Sequence, residues 1–207
     1  MNFSNLKKEI YDKGPLHRGG PSYCVSADDY HECVMAMVTP NRFEHILRVS
    51  ALAEEIARAN AFDLADIARI RVAAVLHDVA RDLNFEEIFQ LSPPEFDLER
   101  QYPLSLHGRA SRVIAELWGV ADQRILEAIS GHVFGVSKSN RIGMVVYVAD
   151  VSEPGRGVNG GIRELAMVDL FRAYQLAVET KVNYLRSEGK AVHPETIKAY
   201  EDILDTA

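Results

Sequence analysis

The chain has 207 residues, and its 30 acidic and 23 basic side chains give a formal net charge of −7 at pH 7. This length can bury a sizeable core and indicates one main domain, while the negative charge argues against a general nucleic-acid-binding protein and predicts no binding to nucleic acid duplexes. Residues 1–9 lack the apolar core of a signal peptide and no apolar run is long enough to cross a bilayer, so we expect a cytoplasmic protein that does not bind membranes.

Residues 1–39 are predicted to form an N-terminal helical extension ahead of the main domain. The apolar residues Phe3, Leu6 and Ile10 have the spacing of one short helix. Ser26, followed three residues later by Asp29, is typical of a capping box and predicts a second short helix. No chemistry is assigned to this segment from its sequence.

The extension also contains two histidines and both cysteines of the chain. His17 and His31 are expected to be ordinary surface or loop residues. Cys24 and Cys33 have neither the spacing of a zinc site nor a disulfide framework around them, so we expect reduced thiols.

Residues 40–207 are predicted to form an all-α domain. Asn41 is the expected N-cap of the first helix, whose buried stripe contains His45 and Val49. The helices expected after it cover residues 64–80, 85–91, 105–118, 125–131, 141–152, 162–167, 170–188 and 196–204. The apolar run at 144–149 would also suit a buried strand, but its helical neighbours and the lack of a partner strand favour a helix.

The loop after residue 154 matches the dinucleotide-binding pattern G-x-G-x-x-G at Gly155, Gly157 and Gly160. That motif requires a strand that runs directly into the first glycine and a helix that begins at the last. Here residues 150–154 intervene and no alternation of strands and helices surrounds the loop. We therefore interpret it as a loop near a phosphate site rather than as a nicotinamide site.

Six potential metal ligands lie in or beside separate apolar segments. They are His45, His77, Asp78, His107, His132 and Asp150. A single histidine on an apolar face is usually a satisfied core residue, whereas six such residues in one domain indicate a cluster. Neutral imidazole and ionised carboxylate are the donors that divalent metals take, and this mixture suits iron, manganese, cobalt or zinc with positions open for water and substrate.

Several short motifs surround these ligands in a fixed order. They are Arg42-Phe-Glu-His45, Leu76-His-Asp-Val-Ala-Arg81, Leu106-His-Gly108, Ala128-Ile-Ser-Gly-His132, Val148-Ala-Asp-Val-Ser-Glu-Pro-Gly-Arg156 and Leu185-Arg-Ser-Glu-Gly-Lys-Ala-Val-His-Pro194. This order resembles the HD-domain superfamily of metal-dependent phosphohydrolases, and within it the YqeK-like branch, over about residues 40–204. Two positions depart from that branch: Arg81 replaces a lysine and Val133 a threonine, which bears on substrate preference.

The resemblance implies an HD-domain helical bundle over residues 40–207 and a role for each candidate residue. His45, His77, Asp78 and Asp150 would hold an iron-like ion, while His107 and His132 would complete a second metal site or face the phosphates. The implied catalytic residues are Asp78, His107, His132 and Arg81, and the implied substrate-binding residues are Arg42, Arg81, His107, His132, Arg156 and Arg163.

The implied activity is the symmetrical hydrolysis of diadenosine tetraphosphate to two ADP with one or two divalent ions, iron first and manganese or cobalt as alternatives. Another HD-domain nucleotidase or phosphodiesterase is the alternative enzyme. A nucleotide-sensing HD domain without turnover is the alternative from another functional class. A homodimer is also compatible with the resemblance.

Overall fold

The computed structural model describes residues 3–15 and 26–205, and these ranges contain α-helices and no β-strand, which confirms the all-α prediction. The twelve α-helices of the described ranges are α1 (Phe3–Lys13), α2 (His31–Met35), α3 (Pro40–Ala59), α4 (Leu64–Leu76), α5 (Phe85–Leu91), α6 (Asp97–Gln101), α7 (His107–Leu117), α8 (Gln123–Gly131), α9 (Arg141–Ser152), α10 (Gly160–Ala166), α11 (Leu170–Ser187) and α12 (Pro194–Leu204). Within the described part of the chain, no helix is both long and apolar enough to span a membrane. His17 and Cys24 lie outside the described residues.

The start of α3 differs from the prediction by two residues. Thr39, and not Asn41, is the N-cap, since its hydroxyl accepts the backbone N–H of Arg42 at 3.4 Å and Pro40 occupies the first turn. Proline suits this position because the helix leaves that N–H unpaired in any case and the proline φ is already helical. The stripe predicted for this helix is buried as expected.

Helix α4 ends at Leu76, four residues before the predicted end at residue 80. The ring Nδ1 of His77 lies 2.7 Å from the carbonyl of Ala74, and the N–H of Ala80 donates to the hydroxyl of Ser111 at 3.1 Å. Side chains therefore take over backbone groups that a longer helix would have paired internally. The prediction was wrong here because one of these partners belongs to α7, far along the chain.

Helix α9 is the central element of the bundle. Every residue from Ile142 to Ala149 is buried, and the helix packs against α3, α4, α8, α10 and α11. A helix that is apolar on all sides is stable only inside a core. The prediction of a helix rather than a strand for this run is thus confirmed, and its C-terminal end brings Asp150 to the middle of the molecule.

The N-terminal segment packs on the main helical domain. Leu6 and Ile10 of α1 are buried, and the indole N–H of Trp118 donates to the carbonyl of Ile10 at 2.8 Å. The ring of Tyr30 also stacks on Trp118 with 6.3 Å between ring centroids. The expected domain boundary after residue 39 stays a prediction, while the packing ties both described parts of the extension to the same core.

Candidate metal centre

The ends of several helices bring the six predicted ligands together. His45 lies in the second turn of α3, His77 and His132 are the C-caps of α4 and α8, Asp78 follows His77, His107 begins α7, and Asp150 lies near the end of α9. Three overlapping groups have ligand atoms within 4.8 Å of one another: His45, His77 and Asp78; His77, His132 and Asp150; and Asp78, His107 and His132. The geometry thus supports the predicted cluster.

Three of the four imidazoles in the cluster are oriented by backbone carbonyls three residues earlier in the chain. The Nδ1-to-carbonyl pairs are His77 with Ala74 at 2.7 Å, His107 with Leu104 at 2.5 Å and His132 with Ile129 at 2.7 Å. A carbonyl only accepts, so Nδ1 carries the proton and Nε2 of the neutral ring keeps its lone pair. This is the tautomer and the outer support that a metal-ligating histidine needs.

The fourth imidazole is oriented by a carboxylate that the sequence analysis did not assign. Nδ1 of His45 lies 3.0 Å from Oε1 of Glu153, whose Oε2 accepts from Nε of Arg48 at 2.7 Å. Burial alone would raise the pKa of Glu153, but the bonds from Arg48 and His45 outweigh it and lower the pKa to about 2. The available signal was a second acidic residue three positions after Asp150.

The Nε2 atoms of these rings converge on the two carboxylates. Nε2 of His107 lies 3.0 Å from Oδ1 of Asp78, and Nε2 of His45 lies 3.1 Å from Oδ1 of Asp150. Nε2 of His107 is also 2.9 Å from Nε2 of His132. Two imidazole lone pairs at this separation repel each other unless a proton or a cation is shared between them.

Buried nitrogens without hydrogen bonds indicate that a divalent ion fits this cluster. Nε2 of His45 and Nε2 of His77 are buried and have no hydrogen-bond partner, since the Asp150 oxygen 3.1 Å from Nε2 of His45 is itself only an acceptor. Buried polar atoms are normally paired, and each exception requires an explanation. A metal ion coordinated through Nε2 would satisfy both atoms, and the oxygen and nitrogen donors around them are those of a divalent cation site.

The protonation states of the cluster also suit a metal. Burial tends to raise the pKa of both carboxyl groups, but the neighbouring histidines outweigh it and hold the pKa values of Asp78 and Asp150 below their usual range. Burial lowers the pKa of His77 to about 4 and also lowers that of His107. At His132 burial again lowers the pKa, but bonding to Asp78 raises it overall. The centre thus presents ionised carboxylates at pH 7, with the rings of His77 and His107 neutral and that of His132 more readily protonated than a free imidazole.

A cavity of about 770 Å³ opens over this cluster. Its walls carry four basic side chains, which are Arg42, Arg81, Arg156 and Lys181. Arg42 donates to Oδ2 of Asp78 at 2.8 Å, and Arg156 donates to both the side chain and the backbone of Asp150. Arg163, also predicted to bind substrate, does not line the cavity, and its guanidinium donates to the carbonyl of Ser152 at 2.7 Å.

Lys181 of α11 is the basic residue that the sequence analysis missed. Its ammonium donates to the carbonyl of Val133 and lies 5.8 Å from the ring centroid of Tyr147. Burial lowers the pKa of Lys181 to about 8, although the charge of Asp150 acts in the opposite direction. A lysine three residues after Val178, on the buried stripe of α11, was the sequence signal for it.

Comparisons with known proteins agree with this geometry. The model of the HD domain matches residues 42–155, which are more than half of the chain. The crystal structure of a Clostridium acetobutylicum protein, described as a predicted HD superfamily hydrolase involved in NAD metabolism, superposes with a TM-score of 0.79 at 26% identity. The match covers 88% of this chain and 99% of that one.

Two relatives carry names that state an activity. A Bacillus subtilis protein named "Bis(5'-nucleosyl)-tetraphosphatase, symmetrical" is 29% identical over 174 residues, which are 81% of this chain and 92% of that protein. A Mycoplasma genitalium protein named "Probable nicotinate-nucleotide adenylyltransferase/Ap4A hydrolase" is 33% identical over 162 residues. That match covers 73% of this chain but only 45% of the length of the relative.

Proposed function

The chain belongs to the HD-domain family, and from this membership and the geometry we propose that it hydrolyses diadenosine tetraphosphate symmetrically to two ADP. The name of the Bacillus subtilis relative, which this chain matches over most of both lengths, supports the symmetrical cleavage. The Mycoplasma genitalium name supports the same substrate.

The observation that carries the proposal is the position of the ligand cluster at a cavity with basic walls. A polyphosphate chain is strongly anionic and needs cations along its length, which Arg42, Arg81, Arg156 and Lys181 supply from the cavity wall. The overall negative charge of the protein does not oppose this, because the local field inside a cleft depends on the groups that line it.

The proposed metal is iron, with manganese or cobalt as substitutes, held by the six clustered residues. His45, His77, Asp78 and Asp150 would hold one ion, and Asp78 with His107 and His132 could hold a second. Helices α4, α8 and α9 end at or within two residues of candidate ligands, and the partial negative charge of a helix C-terminus favours a cation nearby. When bound, the metal supplies Lewis-acid activation of water and of the phosphoryl group.

The remaining tasks fall to side chains of this protein. Arg81 and Lys181 line the cavity and would hold the polyphosphate, and Arg42 and Arg156, next to the two carboxylates, would neutralise charge on the phosphoryl oxygens. Glu153 fixes the ring of His45 and so acts as a positioning residue. The reaction consumes one water and breaks the central phosphoanhydride bond, which leaves two phosphates on each adenosine.

A product analysis tests the proposal. The purified protein is loaded anaerobically with Fe(II), Mn(II) or Co(II) and incubated with diadenosine tetraphosphate, and the nucleotides are separated by chromatography. ADP as the only nucleotide product supports symmetrical cleavage. A mixture of AMP and ATP would contradict it, because an outer phosphoanhydride bond would then be broken. Bound metal without turnover would also contradict it and would favour another nucleotide substrate or a sensing role.

A further inference from the structure

A second cavity of about 350 Å³ adjoins the cavity over the metal centre. Lys181 and Val133 line both cavities, so the two are neighbours on either side of these residues. The second cavity lies between α6, the end of α11 and the start of α12. Its volume falls at the lower end of the range of small-molecule sites.

The walls of this second cavity combine apolar surface with two unpaired hydroxyls. Leu98, Tyr102 and Phe134 contribute apolar and aromatic surface. The hydroxyl oxygens of Ser105 and Thr196 are buried and have no hydrogen-bond partner, and the side chain of Thr196 is 1% exposed. Buried hydroxyls are normally paired, so two of them in the walls of one cavity leave hydrogen-bonding capacity that a polar ligand could use.

The aromatic wall is held in place by His193, which also lines the cavity. The ring of Phe134 stacks on that of His193 with 3.7 Å between centroids and 14° between planes. Nε2 of His193 lies 2.9 Å from Oε1 of the buried Glu99, and Nδ1 of His193 accepts the N–H of Glu195 at 3.2 Å. The wall is therefore preorganised, which lowers the entropic cost of binding a flat ligand.

We propose that this second cavity binds the adenine base of one half of the dinucleoside substrate, and this rests on the proposed function for the identity of the substrate. A base is a flat apolar ring with donors and acceptors along its edge, and proteins bind it by aromatic contact and edge hydrogen bonds. Ser105 and Thr196 supply the edge partners, and Phe134 and Tyr102 the ring contacts. Lys181, between the two cavities, binds the phosphate that joins this nucleoside to the scissile region.

Two substitutions test the pocket without touching the metal centre. Thr196→Val keeps the shape of the side chain and removes only an unpaired hydroxyl, so folding should be preserved. Ala191 is exposed and lines the cavity, so Ala191→Leu narrows its entrance without altering the core. Ala121→Leu is the matched control, because Ala121 is also an exposed alanine outside the helices and lines neither cavity.

Binding is measured by calorimetry on the metal-loaded full chain with two separate probes, adenosine and inorganic tripolyphosphate. We expect Thr196→Val to raise the Kd for adenosine roughly fivefold, and Ala191→Leu to raise it at least as much, while the Kd for tripolyphosphate is unchanged in both. The control variant should bind both probes like the parent protein.

The outcomes separate this proposal from the proposed function. If the protein hydrolyses diadenosine tetraphosphate but adenosine fails to bind, or binds equally to both variants, the pocket assignment is overturned and the activity stands. If adenosine binding weakens in both variants but the dinucleotide is not hydrolysed, the pocket stands and the proposed activity fails.

Discussion

Asp78 is the residue on which most contacts of the metal centre converge. Its carboxylate faces Nε2 of His107 at 3.0 Å, Nε2 of His132 at 3.4 Å and the guanidinium of Arg42 at 2.8 Å. Asp78→Ala removes an oxygen donor common to two of the ligand groups, so we expect metal affinity to fall by more than about 100-fold and hydrolysis to be lost. Metal content by atomic absorption and the chromatographic assay measure both effects.

The control for that variant is Glu55→Ala, which removes an exposed carboxylate of α3 away from the cavity and should change neither quantity. An Asp78→Ala protein that retained its full metal content would show that the ligand assignment is incorrect.

Glu153 offers a test of positioning rather than ligation. Glu153→Gln keeps the size of the side chain but weakens its bonds to His45 and Arg48, so the ring of His45 loses its fixed orientation. We expect metal affinity to fall by about 10- to 100-fold, with activity restored by excess metal. Glu44→Gln is the matched control, since Glu44 also approaches Arg48, at 3.9 Å, but is 71% exposed. Equal metal affinity in the two variants would contradict the positioning role.

At the scale of single residues, the sequence was sufficient to predict which candidate ligands come together and insufficient to predict the residues that orient them. His77 and Asp78 could be recognised from the sequence because buried polar groups at the end of an apolar helix need partners in any fold. Glu153 matters through His45, which is 108 residues earlier in the chain, and Lys181 through Val133, 48 residues earlier. The local signals for Glu153 and Lys181 do not reveal these distant partners. For the same reason the sequence could not separate Arg163, which faces a backbone carbonyl, from the arginines that line the cavity.

At the scale of elements, the helices follow from apolar spacing, while their exact ends depend on individual caps. Asp63 is the N-cap of α4, and its carboxylate accepts the N–H of Asp66 at 2.7 Å. Asp63→Ala should lower the free energy of unfolding by about 1 kcal/mol in urea denaturation, whereas Asp63→Asn should keep nearly all of it because asparagine caps equally well. Identical stability of the alanine variant and the parent would exclude the capping role.

Lys181 of helix α11 is the residue from which we expect the clearest pH dependence of substrate binding. The pKa of Lys181 is lowered to about 8, so its ammonium is charged below that pH and neutral above it. If Lys181 binds phosphate, KM for diadenosine tetraphosphate should increase as pH rises through about 8. Lys181→Arg should remove this increase, because a guanidinium stays charged.

Lys181→Met should raise KM about tenfold at pH 7 and leave bound metal unchanged, with Lys8→Met of the exposed face of α1 as the control. A KM that rises above pH 8 equally in the Lys181→Arg protein would assign the titration to another group.

At the scale of the whole molecule, the bundle converges on a site whose candidate ligands come from five helices or their ends, so an ion bound there would link most of the core. At free metal 100 times its Kd the folded state gains about 2.7 kcal/mol, which corresponds to a rise in Tm of roughly 5–11 °C for a chain of this size. Scanning calorimetry with and without a chelator measures the shift. Asp78→Ala should show almost none, and a shift as large as that of the parent would place the stabilising ion elsewhere.

The three glycines that match the dinucleotide-binding pattern differ in whether they tolerate replacement by a residue with a side chain. A Cβ on Gly155 would come within 2.7 Å of Cζ of Arg48 and displace the guanidinium from Glu153, and Gly157 has a left-handed φ of 67°. Gly160, by contrast, meets nothing closer than 3.7 Å and has no positive φ. In a library of random substitutions selected for activity, alanine should therefore be retained at position 160 and be depleted at position 155. The selected sequences would then lose the G-x-G-x-x-G pattern but keep the glycine that Arg48 requires at position 155.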